Sequence, residues 1–154
     1  MKERLVSRVT TDYFLKYADL IAQRFNGNFL RGFIFLAVVQ GSIEHIDHAS
    51  ETSLAYAGLD TAPPNSLRRP VPINSISASL GLPYETVRRH IQALISSGHC
   101  VKVRGKGVIV PAHVLESPEY QETLKRCYDY LCSMISVLHR AGVVVDKDGI
   151  ISTD

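Results

Sequence analysis

Arg88 and Arg89 stand beside Glu85 and Gln92 at helical spacing, and the tetrapeptide Arg104-Gly105-Lys106-Gly107 follows downstream. A guanidinium can donate in parallel to guanine O6 and N7, a glutamine amide can pair with adenine N6 and N7, and a carboxylate can accept from cytosine N4. Two cations set among glycines make a different tool, a tip that meets phosphate by charge without reading a base. Together these residue types offer recognition of a nucleic-acid duplex rather than catalysis.

The elements that must position them are legible around them. The stretch VPINSISASLGLPYETVRRHIQALISSGHCVKVRGKGVIVP, residues 71–111, reads as a helix, a tight turn, a second helix and a β-hairpin. Ile76 and Leu80 in the first helix face Leu82, Val87, Ile91, Leu94 and Ile95 across Gly81, which suits the positive φ of a sharp interhelical turn. The second helix is expected over about 83–97, ended by Ser96-Ser97-Gly98. With Val87, Ile91 and Leu94 turned inward, Tyr84, Glu85, Arg88, Arg89 and Gln92 fall on or near the outer face. The β-rich runs 100–103 and 108–110 then make a hairpin whose tip carries the cations. Pro72 and Pro83 occupy the two helix entrances, where neither can cap by side chain.

Charge points the same way. Residues 68–107 hold seven Lys or Arg (Arg68, Arg69, Arg88, Arg89, Lys102, Arg104, Lys106) against Glu85 alone, a net +6 in a chain of +2, leaving −4 elsewhere. Such a distribution orients an encounter with a polyanion.

Around this module the chain of 154 residues is expected to be one domain: N-terminal helices over 1–48, a loop over 49–72, the helix pair and hairpin over 73–111, a C-terminal helix over 117–141 and a tail over 142–154. Tyr13, Phe14, Tyr17, Leu20 and Ile21 form the stripe of an amphipathic helix over 11–25, and a second, apolar in its first half, is expected from 28 to about 48. The 49–72 loop, with a helical turn expected over 53–58, is read either as a surface excursion or as an arm whose Arg68 and Arg69 touch phosphate or the minor groove. Ser117-Pro118-Glu119 is a strong helix start, and Tyr120, Leu124, Cys127, Tyr128, Leu131, Ile135 and Leu138 form one long stripe behind it. The tail is expected to be a small hairpin or an extended strand.

Other classes lack support. The longest apolar run, residues 32–39, is far short of the about 18–20 residues that cross a bilayer, and the N-terminus has no hydrophobic signal core, so a cytoplasmic location is expected. Cys100, Cys127 and Cys132 lack paired spacings and read as reduced thiols. Glu44, His45, Asp47, His48 and Glu51 could be imagined around a divalent metal, but polar surface at a helix end explains them, and no metal or cofactor is expected. No phosphate-binding glycine loop or nucleophile elbow is present, so no enzyme is expected.

The segment LGLPYETVRRHIQALISSGHCVKVRGKGVIV resembles the DNA-binding part of GntR-type bacterial regulators, with Leu80-Gly81, Thr86-Val87-Arg88, Leu94, Gly98 and a wing carrying Arg104-Gly105-x-Gly107. The resemblance implies DNA contact by Thr86 and Arg88 in a recognition helix and by Arg104, Gly105 and Lys106 in the wing. Tyr84 and Glu85 stand where that family has smaller or basic residues, so the operator does not carry over. The mid-chain position is more similar to MarR-like regulators, in which N- and C-terminal helices of two protomers interlock, although the Asp-x-Arg of that family's wing is absent. The family therefore stays open.

The expected fold is mainly α with a small β-hairpin wing, a winged helix-turn-helix with flanking N- and C-terminal helices. The expected function is a homodimeric, sequence-specific regulator of double-stranded DNA, with helices 11–25 and 119–140 as its dimer interface. A winged helix that serves protein–protein contact and never binds DNA is the alternative. Nothing in the residues identifies a small-molecule effector, an operator, or repression over activation.

Overall fold

Helix α2 (Phe29–Ile43) is the pillar of the molecule, because its sequence offers apolar side chains on every face. Asn28 caps it, its side-chain oxygen accepting from the Arg31 amide at 3.0 Å. Ile34, Phe35 and Val38 are fully buried, and α2 meets four other elements: α1 (Glu3–Gln23), α4 (Ile73–Leu80), α5 (Tyr84–Ser96) and the hairpin strand β2 (Gly107–Ile109). Each such burial contributes about 1.5–3 kcal/mol, so the shared core fixes α4 and α5 to the rest of the chain.

The computed structural model describes residues 2–146 and 149–152. Within them the protein is mainly helical, with seven helices and two small antiparallel hairpins. The remaining elements are α3 (Glu51–Ala55), β1 (Val101–Val103), α6 (Ala112–Leu115), α7 (Pro118–Arg140), β3 (Val143–Asp146) and β4 (Gly149–Ser152). No helix of the described residues is long and apolar enough to cross a membrane.

Helix α7 begins as its sequence dictates, Ser117 accepting from the Tyr120 amide at 3.2 Å with Pro118 in the first turn. It lies against α1, where Arg24 donates to Thr123 Oγ1 at 2.9 Å and Tyr13 meets Cys127 Sγ at 3.5 Å. This pairing divides the long stripe of α7. Tyr120 is buried and Cys127 and Leu138 are half-buried, whereas Leu124, Tyr128, Leu131 and Ile135 stay exposed.

Several boundaries differ from those expected. Helix α1 starts at Glu3, well before residue 11, because nothing in its polar first turns breaks a helix. Helix α2 stops at Ile43, and the polar 44–48 segment lies beyond it. The helical turn expected over 53–58 is α3 instead, placed earlier by Ser50, whose hydroxyl accepts from Ser53 N at 3.1 Å. Helix α6 had no periodic signal at four residues. The tail is a hairpin with Val143 opposite Ser152; residues 147, 148, 153 and 154 lie outside the described residues.

Candidate nucleic-acid interface

Helices α4 and α5 meet through a turn closed from both sides. The Ser77 hydroxyl donates to the Leu82 carbonyl at 2.6 Å, and the Leu82 amide returns to the Ser77 carbonyl at 3.2 Å. Gly81, at φ +64°, supplies the left-handed residue between them. Pro83 stands at the entrance of α5 without a side-chain cap, and its carbonyl accepts from Val87 at 3.1 Å. Val87, Ile91 and Leu94 are buried, so α5 has one permitted rotation about its axis. That rotation leaves Tyr84, Glu85, Arg88, Arg89 and Gln92 exposed and Thr86 at the boundary.

Arg88 and Glu85 are not independent on this face. Arg88 donates from Nε to Glu85 Oε2 at 2.8 Å and from Nη2 to Oε1 at 2.6 Å, a two-point fork on one turn of helix. The hydrogen bond to Arg88 holds the Glu85 carboxyl below its ordinary pKa, and the same bond raises that of the Arg88 guanidinium. The planar donor edge that suits guanine is thus aligned, and already engaged. Arg89 makes no ion pair among the described residues.

The chain leaves α5 through Ser97 and Gly98, and Leu94 O accepts from His99 N at 2.9 Å and Cys100 N at 3.2 Å. Cys100 is buried, which pushes its thiol pKa up to about 12, so it packs as a neutral group. Strand β1 then pairs with β2, Val103 opposite Gly107, and Lys106 N closes the tip on Val103 O at 3.0 Å. Arg104, Gly105 and Lys106 are exposed there, together with Lys102 on β1. Lys102 entered the charge count but no expected contact set; it is exposed on β1 beside exposed Val101, with Val103 half-buried.

Of the two arginines expected on a mobile arm, one is elsewhere. Arg68 is only 4% exposed, its guanidinium donating to the carbonyls of Pro63 and Val110 and to the Asn65 side-chain oxygen. Three of its five N–H donors are engaged inside the protein and the group is buried, so it is removed from the outer surface that can touch a duplex phosphate. Arg69 is exposed, but its amide donates to Ser42 O at 2.8 Å, and the arm is tied down rather than free. Six exposed cations remain in the 68–107 window: Arg69, Arg88, Arg89, Lys102, Arg104 and Lys106. They ride on α5, the hairpin and the strap leading into α4, all anchored on one core.

Comparison with known protein families, curated proteins and solved structures gave no match. Among the described residues no group of His, Cys, Asp and Glu converges to hold a metal ion.

Proposed function

We propose that this chain is a homodimeric, sequence-specific DNA-binding regulator of the winged helix-turn-helix type. Helix α5 enters the major groove, and the β1–β2 hairpin acts as a wing along the backbone or in the minor groove. The observation that carries the reading is the pairing of an exposed Arg88–Arg89–Gln92 face with an exposed Arg104–Gly105–Lys106 tip, each held by the same buried cluster. In it Arg88, Arg89 and Gln92 read bases, with Tyr84, Glu85 and Thr86 framing the groove contact, while Arg69, Lys102, Arg104, Gly105 and Lys106 meet phosphate. The exposed stripe of α7 supplies the contact between protomers and spaces two recognition helices by one helical turn, about 34 Å.

Selection of bound duplexes from a random pool, followed by anisotropy titrations across salt, tests the proposal. Enrichment of a two-fold motif, with affinity falling steeply between about 50 and 200 mM salt, is expected. Exposed Tyr84 and Val101 favour a second reading, a winged helix that contacts another protein. No enriched duplex even at low salt decides for that second reading.

A further inference from the structure

Arg68 carries a charge that its surroundings do not match. Its three acceptors are neutral, and among the described residues it makes no ion pair; Glu116 attracts it only from longer range. Burial pulls its pKa below the ordinary arginine value. A cation removed from water without a counter-charge is costly, and an anion brought beside it recovers much of that cost.

The same residue lines a cavity of about 610 Å³ between α2, the 56–63 segment, α6 and α7. Pockets for small molecules span about 300–1,000 Å³ and combine apolar walls with a few placed polar groups. Here Val39, Leu59, Ala62, Leu115 and Leu124 form the walls, and Lys125 adds a second cation from exposed surface. Among the described residues no Asp or Glu lines it. The contrast is the groove between α1, the 97–99 turn after α5, α6 and α7, where Arg24 and Arg126 are accompanied by Glu119 and Glu122 and the charges compensate one another.

We propose that this cavity is a binding site for a small apolar molecule carrying one anionic group, its hydrocarbon part on the α2 and α7 walls and its charge on Arg68. The position of Arg68 gives occupancy a consequence. Its guanidinium holds the Val110 carbonyl at the end of the hairpin, the next residue is tied to Ser42, and Val71 is paired with Val108. An anion that draws Arg68 toward itself loosens one of the bonds that seat the hairpin. That regulatory step rests on the DNA-binding reading above; the site itself does not.

The full chain titrated with naphthalene-2-carboxylate and with its neutral carboxamide, by calorimetry and by amide chemical shifts, tests the site. The carboxylate is expected to bind at least about tenfold more tightly, a difference that a charge-assisted hydrogen bond supplies. Shifts should centre on Val39, Ala62 and Val110. Arg68→Met should erase the preference, and Thr61→Trp, at an exposed lining position, should weaken both compounds even if Arg68→Met does not fold. Equal affinities, shifts confined to Leu131 and Ile135, or no binding of the carboxylate at millimolar concentration would each overturn the site. Adding the carboxylate to a formed duplex complex reads the regulatory step separately, so absence of DNA binding leaves the calorimetry interpretable.

Discussion

Val71 and Val108 exchange both backbone hydrogen bonds, at 2.8 and 2.9 Å, so the strap before α4 is stitched to the hairpin after α5. The approach is close enough that only glycine fits beside it. At Gly107, φ +123°, a Cβ would lie 2.3 Å from the Val71 carbonyl oxygen. Gly107→Ala should therefore destabilise the protein by about 2–4 kcal/mol, combining backbone strain with overpacking against an immobile main chain. Gly105→Ala, at φ +73° in open space, should cost only about 1–2 kcal/mol. Chemical denaturation of both variants measures the gap, and equal costs would remove the stitch from the argument.

The Glu85–Arg88 fork makes a prediction about selectivity. If α5 enters a groove as proposed, Arg88 must exchange Glu85 for a base edge or share itself between them. Arg88→Ala should lower discrimination at one base position by about 5- to 150-fold and leave the others unchanged. Glu85→Gln frees the guanidinium and should raise affinity for selected and unrelated duplexes alike. Competition titrations with single-position operator variants distinguish these outcomes; uniform loss for Arg88→Ala would demote it to a phosphate contact.

In the proposed complex, the cations of the hairpin tip should act through counterion release alone. Arg104→Ala and Lys106→Ala are each expected to reduce the steepness of log K against log salt by about 0.9, equally on all sequences. Arg68→Met should leave that slope unchanged, because the guanidinium is enclosed by Pro63, Asn65 and Val110. A slope change for Arg68→Met of the same size would return it to the DNA surface.

The helix pair was legible because Val87, Ile91 and Leu94 repeat at one helical face and leave a single set of outward residues. The start of α7 was legible for a local reason too, the Ser117 cap and Pro118. What the residues could not show is where Arg68 points. A loop arginine looks the same in sequence whether it reaches outward or folds in under three acceptors, because those acceptors, Pro63, Asn65 and Val110, are brought together by tertiary structure. The bridge from Val71 to Val108 was hidden likewise, a single pair without alternation around it. The α7 stripe was visible as a whole, but its division into a half-buried side against α1 and an exposed side required the packing itself.

Acid should weaken the fold through His99. Its ring packs on Phe25 and Phe35, and burial, with help from the Arg24 charge, lowers its pKa below the ordinary 6.5. The folded state then binds fewer protons than the unfolded state between the lowered value and 6.5. Its contribution is complete above 6.5 and is lost as pH falls through that window. His90, lowered chiefly by burial, adds in the same direction. Tm should drop from pH 7.5 to 5, and His99→Gln should be less stable at pH 7.5 yet shallower in its pH dependence. Parallel curves for the two proteins would assign the acid sensitivity to carboxylates instead.

The exposed side of α7 sets the last prediction. Leu124, Tyr128, Leu131 and Ile135 follow one another at i, i+4, i+7 and i+11 and are 37–66% exposed. That spacing is the seam by which two helices interlock, and charge placed within it is repelled across a two-fold axis. Ile135→Glu should yield a monomer by sedimentation equilibrium with helical content intact, since Ile135 contributes nothing to the buried core. Affinity for a two-fold operator should then fall far more than affinity for one half-site, because the second contact is no longer intramolecular. A wild-type protein that sediments as a monomer at high micromolar concentration would remove this surface from dimer assembly and, with it, the expectation of a two-fold operator.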